Sequence, residues 1–314
     1  MAGIPVVAVV GPTATGKTRL AVGLSLRFGG EVVSADSMQI YRGLDIGTAK
    51  PTIEEMRGVP HHLIDFLDPS QSFSVADFVE LASKSIADIN ARGKLPIVAG
   101  GTGLYIWSLL NGLNFLPQEK DEELRAKLKH MAEQEGTEKV WKMLREIDPE
   151  SAERIHPNNV GRVIRAIEVY RVTGITMTEQ IRRSREKPSP YDPLVIGLTY
   201  RDRSKLYDAI NRRVDIMMQR GLLKEAETVF KMEHAATASQ AIGYKEFFPY
   251  FRGECSVEES VEQVKRESRR YAKRQLTWFR RDESVQWLYV DEFANPDELL
   301  AKAASLILQK GWKR

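Results

Sequence analysis

The chain has 314 residues, 42% of them hydrophobic and 28% charged, which supports one large or two modest globular domains and excludes a low-complexity chain. Its 46 Lys and Arg against 43 Asp and Glu leave a net charge of +3, so attraction to an acidic partner must come from local clustering. A single cysteine, Cys255, excludes an intrachain disulfide; no apolar run approaches a membrane span and Ile4–Val10 is too short for a secretory leader, so the expected location is the cytoplasm.

In chain order, Val6–Val10 is a β-branched run that reads as a buried strand and stops at Gly11-Pro12. The pattern Gly11-x-x-x-x-Gly16-Lys17-Thr18 follows, then a helical segment at Thr18–Arg27. Glu31–Ala35 and Leu95–Ala99 are further strand-like runs, with a helix predicted over Val75–Ala91 between them. Strands alternating with helices predict βαβ units and a parallel sheet. The character changes after Pro117: from Glu119 to about Arg185 no strand candidate appears, and helix-forming residues dominate. Val160, Val163, Ile164 and Ile167 lie at i, i+3, i+4 and i+7, one helix face, and Gly174 stands where that helix should stop. Lys187-Pro-Ser-Pro-Tyr-Asp-Pro193 reads as a proline-rich hinge, and Val195–Thr199 resumes as a strand. The expected fold is α/β: a P-loop NTPase-like parallel sheet flanked by helices, built from residues 1–116 and 190–314, with an all-helical insertion at 117–189.

The loop Gly11, Pro12, Thr13, Ala14, Thr15, Gly16, Lys17, Thr18 has the spacing of a phosphate cradle. Its glycines let backbone amides approach phosphate oxygens, the following helix turns its positive end to the anion, Lys17 adds a charge, and the Thr18 hydroxyl suits Mg²⁺. A strand-end carboxylate should accompany it. Asp36, after the second strand, and Asp291, near the C-terminus, are the candidates. Asp36 could hold Mg²⁺ through water, act as a general base, or cap a helix before Met38. The absence of Asp-x-x-Gly and Asn-Lys-x-Asp from the sequence excludes a switch GTPase. Gly100-Gly-Thr-Gly103 is a second glycine loop, expected to bring backbone close to a ligand, with Thr102 its hydrogen-bonding side chain. His61 and His62 lack a third partner for a metal and read as structural.

Charge is concentrated near the C-terminus. Lys265–Arg281 holds eight Lys or Arg and one acid, Glu267, a local net of +7, with Tyr271, Trp278 and Phe279 interleaved. Basic and aromatic residues together are the footprint of RNA binding. Arg162 and Arg165, three apart in the insertion, share a helix face.

Taken together, seven segments resemble the bacterial tRNA dimethylallyltransferases, also called tRNA isopentenyltransferases, over nearly the whole chain. They are Gly11–Thr18, Asp36-Ser-Met-Gln-Ile-Tyr-Arg42, Asp45-Ile-Gly-Thr-Ala-Lys-Pro51, His61-His-Leu-Ile-Asp65, Gly100-Gly-Thr-Gly-Leu-Tyr105, Gln240-Ala-Ile-Gly-Tyr-Lys-Glu246 and Lys273-Arg-Gln-Leu-Thr-Trp-Phe-Arg280. The resemblance implies transfer of dimethylallyl from dimethylallyl diphosphate to N6 of the adenosine immediately 3′ to the anticodon, in tRNAs reading codons that begin with U. It implies Lys17, Thr18, Mg²⁺ and Arg213 (with Arg212 beside it as the alternative) on the diphosphate, Asp36 as base and Thr102 on the adenine. Ser37, Met38 and Gln39 would meet the extruded base. Lys245, Lys273, Arg274, Gln275, Trp278 and Arg280 would hold the anticodon stem-loop, and Arg162 and Arg165 would serve the insertion's grip on it. Neither a membrane nor an obligate protein partner is expected. A P-loop small-molecule kinase would need ATP and has no use for the basic segment; a non-catalytic RNA-binding NTPase module would leave RNA unmodified.

Overall fold

The computed structural model describes residues 3–113, 121–184, 188–232 and 237–312. The expectations resting on Pro117, Glu119, Arg185 and Lys187 lie outside these residues. Among the described residues no helix is long and apolar enough to cross a membrane.

Among the described residues six strands form one sheet: β1 (Ile4–Val10), β2 (Gly30–Ser34), β3 (His61–His62), β4 (Leu95–Gly100), β5 (Tyr191–Thr199) and β6 (Gln286–Tyr289). Their order is β3-β2-β4-β1-β5-β6 and every pairing is parallel. The helices are α1 (Lys17–Phe28), α2 (Ile53–Met56), α3 (Val75–Ala91), α4 (Gly103–Leu110), α5 (Glu122–Glu135), α6 (Thr137–Ile147), α7 (Pro149–Arg154), α8 (Val160–Thr173), α9 (Met177–Ser184), α10 (Arg203–Gln219), α11 (Leu222–Phe230), α12 (Phe248–Phe251), α13 (Val257–Phe279) and α14 (Pro296–Gln309). The expected α/β architecture is therefore present.

Alternation along β1 divides the core. Val7 and Val9 pack with Leu20 and Leu24 of α1 and Leu299 and Ile307 of α14, whereas Val6, Ala8 and Val10 pack with Phe78 and Ile86 of α3, Leu109 of α4 and Phe279 of α13. Both faces are covered, which is why β1 reads as an unbroken apolar run rather than an alternating one. A third core joins Ile40, Tyr41 and Leu44 to Val214, Leu222, Tyr244, Phe247 and Val264.

β5 starts earlier than the proline-rich reading implied and carries Pro193 inside it. The Ile4 amide donates to Pro190 O at 2.8 Å, which fixes the even-numbered residues of β5 as those facing β1. Pro193 then faces the other side, where β6 pairs only from Ile196 onward, so its missing N–H costs no ladder bond.

Asn111–Ser189 forms a compact unit of its own. That unit is helical in its described residues, α5 to α9, around Leu128, Val140, Leu144, Val163 and Ile167. α8 ends at Gly174, whose φ of 70° supplies the left-handed cap.

At the amino end of β2, Glu31 is 2% exposed yet charged. Arg92 holds it bidentately, and Lys94 and His62 each approach within 2.7 Å. The Arg92 hydrogen bonds, outweighing burial, keep the carboxyl far below the usual range. Its partner His62 is thus structural, and His61 directs Nδ1 to Val59 O at 2.8 Å; burial lowers its pKa and keeps its ring neutral. Glu31→Ala should cost roughly 1–3 kcal/mol, read as a lower urea midpoint. Because the folded carboxyl pKa is depressed, that contribution is present above the ordinary value of 4.5 and is lost as pH falls below it, so the gap to the variant should narrow only in acid.

Candidate active site

β1 delivers the chain into a loop in which Gly11, Ala14 and Gly16 have positive φ, of 136°, 64° and 82°. Such residues turn successive amides toward a common centre and form an anion nest. At Gly11 a Cβ would lie 2.2 Å from Leu198 O, so no other residue fits. The Thr15 hydroxyl donates to Pro12 O at 2.9 Å and closes the loop. α1 then begins at Lys17 with Gly16 as N-cap and no side-chain cap. Its first amides therefore lack a side-chain acceptor and face the loop, with Thr18 in the first turn.

Three charged groups converge here. Lys17 is folded back, donating to Pro12 O at 2.7 Å. Burial, reinforced by the nearby Arg213 guanidinium, draws the lysine pKa down from 10.5 to about 7, and the Asp36 carboxylate opposes that shift. Burial also lowers the pKa of Arg213, again opposed by Asp36 and by Glu55. Arg213 extends from α10, and its neighbour Arg212 is exposed. Arg213 is thus the member of the pair that shares the electrostatic environment of Lys17 and Asp36. Asp291 lies elsewhere: it accepts the amides of Arg201 and Asp202 at 2.7 and 3.1 Å, tying down the turn after β5.

Asp36 leaves the end of β2 and accepts the Met38 amide at 2.9 Å. No helix starts there, so this bond closes an Asx turn rather than a helix cap. Across from it, Thr102 Oγ1 accepts the Ser37 amide at 3.2 Å while the Thr102 amide donates to Ala35 O at 3.3 Å. The two loops are thereby stitched side by side.

In the second glycine loop the three glycines make room for protein. A Cβ on Gly100 would meet Ala35 O at 2.2 Å, one on Gly101 would meet Gln275 Nε2 at 2.1 Å, and one on Gly103 would meet the Trp278 ring at 2.2 Å. Gln275 is 5% exposed, accepts the Thr13 amide at 3.1 Å and donates to Gly101 O at 3.0 Å. Gln39 also turns inward, donating to Ala49 O at 3.1 Å and accepting the Ser34 hydroxyl at 3.1 Å. Met38 packs partly into the third core.

Other expected contact residues lie on the surface. Lys245, Lys273, Arg274, Arg280 and Arg162 are exposed. The basic run is partly neutralised: Lys265 pairs with Asp215 at 2.8 Å, Arg270 with Glu267 at 2.6 Å, and Arg269 donates to Asn211. In the insertion Arg165 is tied to Glu168, a fully buried carboxylate that also receives Arg125 at 2.8 Å.

Sequence reasoning missed Glu225. It accepts the amides of Asp45, Ile46 and Gly47 at 2.8, 2.9 and 2.8 Å and the Tyr244 hydroxyl at 2.8 Å. Tyr244 is fully buried, and a Cβ on Gly47 would sit 2.5 Å from its ring. The paired motifs Asp45–Pro51 and Gln240–Glu246 were the available signal, since two glycine-bearing segments far apart in sequence here interlock.

Comparison with known proteins places this geometry. The IPP transferase family model matches residues 39–282 and the isopentenyl transferase model residues 4–71. The chain is 50% identical over 299 residues to a tRNA dimethylallyltransferase of Caldanaerobacter subterraneus, covering 94% of this chain and 95% of that one. It is similar to the crystal structure of a tRNA isopentenylpyrophosphate transferase of Bacillus halodurans, with 47% identity, a TM-score of 0.73 and coverage of 98% and 96%. It is similar also to a eukaryotic dimethylallyltransferase acting on tRNA, with 29% identity, a TM-score of 0.76 and coverage of 91% and 74%.

The lysine yields a pH signature. With no anion bound, Lys17 loses its proton as pH rises through about 7. An anion beside it favours the charged form. Pyrophosphate binding in mildly alkaline buffer should therefore draw a proton onto Lys17, and this uptake should vanish in acid, where the lysine is already charged. Calorimetry in buffers of different ionisation enthalpy reads the protons. The difference between the unaltered protein and Lys17→Gln isolates the lysine, and equal uptake by both would refute the assignment.

Proposed function

The chain belongs to the tRNA dimethylallyltransferase (IPP transferase) family, and from that premise we propose that it transfers dimethylallyl from dimethylallyl diphosphate to N6 of the adenosine immediately 3′ to the anticodon, in tRNAs reading codons that begin with U. It is a prenyltransferase that releases diphosphate. The observation that carries the assignment of roles is the convergence of Lys17, Arg213 and Asp36 at an uncapped helix N-terminus.

The leaving group needs the cations. When the allylic C–O bond breaks, its electron pair departs on the diphosphate. The loop amides, Lys17 and Arg213 would stabilise that charge, and a group buried beside another cation gains most from doing so. Mg²⁺ fits the donor set. The Thr18 hydroxyl is a hard oxygen ligand in the first turn of α1, and Mg²⁺ held largely by phosphate oxygens and water needs few protein ligands. Bound there, it would neutralise charge on the diphosphate.

The acceptor needs the carboxylate. The adenine amine is a weak nucleophile because its lone pair is delocalised into the ring. As the C–N bond forms, Asp36 would take the N6 proton, leaving a neutral secondary amine. Thr102 Oγ1 accepts the Ser37 amide and faces the Tyr271 hydroxyl, and on this reading it would turn its own proton to the adenine. A stacked base cannot reach this site, so the nucleotide must be extruded, at a cost of a few kcal/mol offset by contacts made inside. Ser37 and Met38 would flank the extruded base. Lys245, Lys273, Arg274 and Arg280, with Arg162 in the insertion, would meet RNA phosphates.

Incubation of an unmodified anticodon stem-loop with the protein, dimethylallyl diphosphate and Mg²⁺ should add one dimethylallyl group, visible by mass spectrometry. Asp36→Asn should lower turnover by about 10²–10⁴-fold with RNA affinity little changed. A parallel loss of affinity and rate would show that Asp36 is a binding group rather than the base.

A further inference from the structure

α13 shows two faces to two different tasks. Lys273, Arg274 and Arg280 are on its exposed side. Tyr271, Gln275 and Trp278, spaced i, i+4 and i+7, share a less exposed face that Arg274 borders, and all three seat on the glycine loop. The Tyr271 hydroxyl lies against the side chains of Thr102 and Gln275. Trp278 occupies the space a Cβ on Gly103 would need. Gln275 alone reaches both loops: its Oε1 accepts the Thr13 amide of the phosphate loop at 3.1 Å, and its Nε2 donates to Gly101 O of the adenine-side loop at 3.0 Å.

We propose that Gln275 is a positioning residue for the transfer reaction, holding the phosphate loop and the Thr102 loop at the separation the two substrates require. This rests on the functional reading above, which puts diphosphate on the first loop and adenine on the second.

The chemistry of the group supports it. A planar amide can accept from one backbone and donate to another at the same time. A carboxylate lacks the donor and a hydroxyl lacks the span. Gln275 is 5% exposed, so its polar atoms are spent inside the protein while neighbouring Arg274 faces outward. Gly101 has no side chain where one would lie 2.1 Å from Nε2, so the loop is shaped to admit this amide. Bond formation requires the prenyl carbon and the adenine nitrogen to approach within about 3–3.5 Å, and a misplacement of about 1 Å costs on the order of 10²-fold in rate. Each substrate is gripped by one loop, so the bridge between loops governs the rate of the joint step more than either affinity.

The test uses the full chain with an unmodified anticodon stem-loop and Mg²⁺. Gln275→Glu, close to isosteric, and Gln275→Ala should lower the single-turnover transfer rate on the order of 10²-fold. Affinity for the stem-loop by fluorescence anisotropy, and for inorganic pyrophosphate by calorimetry, should stay within about threefold of the unaltered protein's. The Gln275→Glu deficit, taken relative to the unaltered protein at each pH, should shrink as pH falls, because a protonated carboxyl can again donate to Gly101 O. An unchanged rate in Gln275→Glu would overturn the proposal. So would a loss of RNA affinity in step with the rate, which would make Gln275 an RNA contact. Absence of transfer by the unaltered protein would instead overturn the functional reading.

Discussion

A helix that begins without a side-chain cap is the constraint from which this site follows. The first amides of α1 have no intrahelical partner and no Ser, Thr, Asp or Asn at the N-cap to accept from them. They are left oriented around a left-handed loop, in the positive end of the helix dipole. Placing Lys17 and Arg213 at the same point adds like charge to like charge and removes water from both. Such an arrangement is poor for the protein alone and good for a polyvalent anion. Asp36 compensates in part, and on the proposed reading the same carboxylate would serve the second half of the reaction beside the cations that would hold the leaving group.

Much of what surrounds the site exists to hold Asp36 and Thr102 in place. Residues 36–50 form no long element of their own. They are fixed from outside by Glu225 on α11, which collects three successive amides, and by Lys50, which donates to Tyr41 O at 2.8 Å and pairs with Asp65 at 2.6 Å. Gln39 anchors the same segment to Ala49 O. The buried Glu31 cluster at the opposite end of β2 keeps the strand that carries Asp36 in register. An irregular loop can hold a reactive group steadily only if its backbone groups are satisfied, and here side chains from distant segments satisfy them.

The sequence showed the sheet, the phosphate cradle and the helical character of the insertion because each rests on local pattern: β-branched runs, glycine spacing, periodic apolar positions. β3, with two residues, has no periodicity to detect, and β6 pairs through only four residues, Gln286 to Tyr289. Asp36 was expected beside the cradle because it ends a neighbouring strand, whereas Arg213 was expected there from resemblance alone, because its position in the sequence carries no distance. The glycines of Gly100–Gly103 carry a signal that the sequence could not apportion. A glycine reports that something comes close, and in this loop the close neighbours are Ala35, Gln275 and Trp278. Glu225 was invisible because a lone glutamate on an amphipathic helix looks like any solvated acid.

The basic segment around α13 concentrates a local +7 in a chain with a net charge of +3, and among the described residues its cations divide between partnered and unpartnered. Toward α10 its cations are already satisfied: Lys265 by Asp215, Arg269 by Asn211. Farther along, no carboxylate among the described residues pairs with Lys273, Arg274, Arg280 or Arg281, and Arg274 and Arg281 lie near the rings of Tyr271 and Trp278 instead, at 5.5 and 6.0 Å from the centroids. Those rings belong to the side that seats on the glycine loop. On the proposed reading the same helix turns would present charge to RNA and brace the loop that receives its base, Lys273 and Arg280 lying away from Gln275 while Arg274 borders the face that seats on the loop.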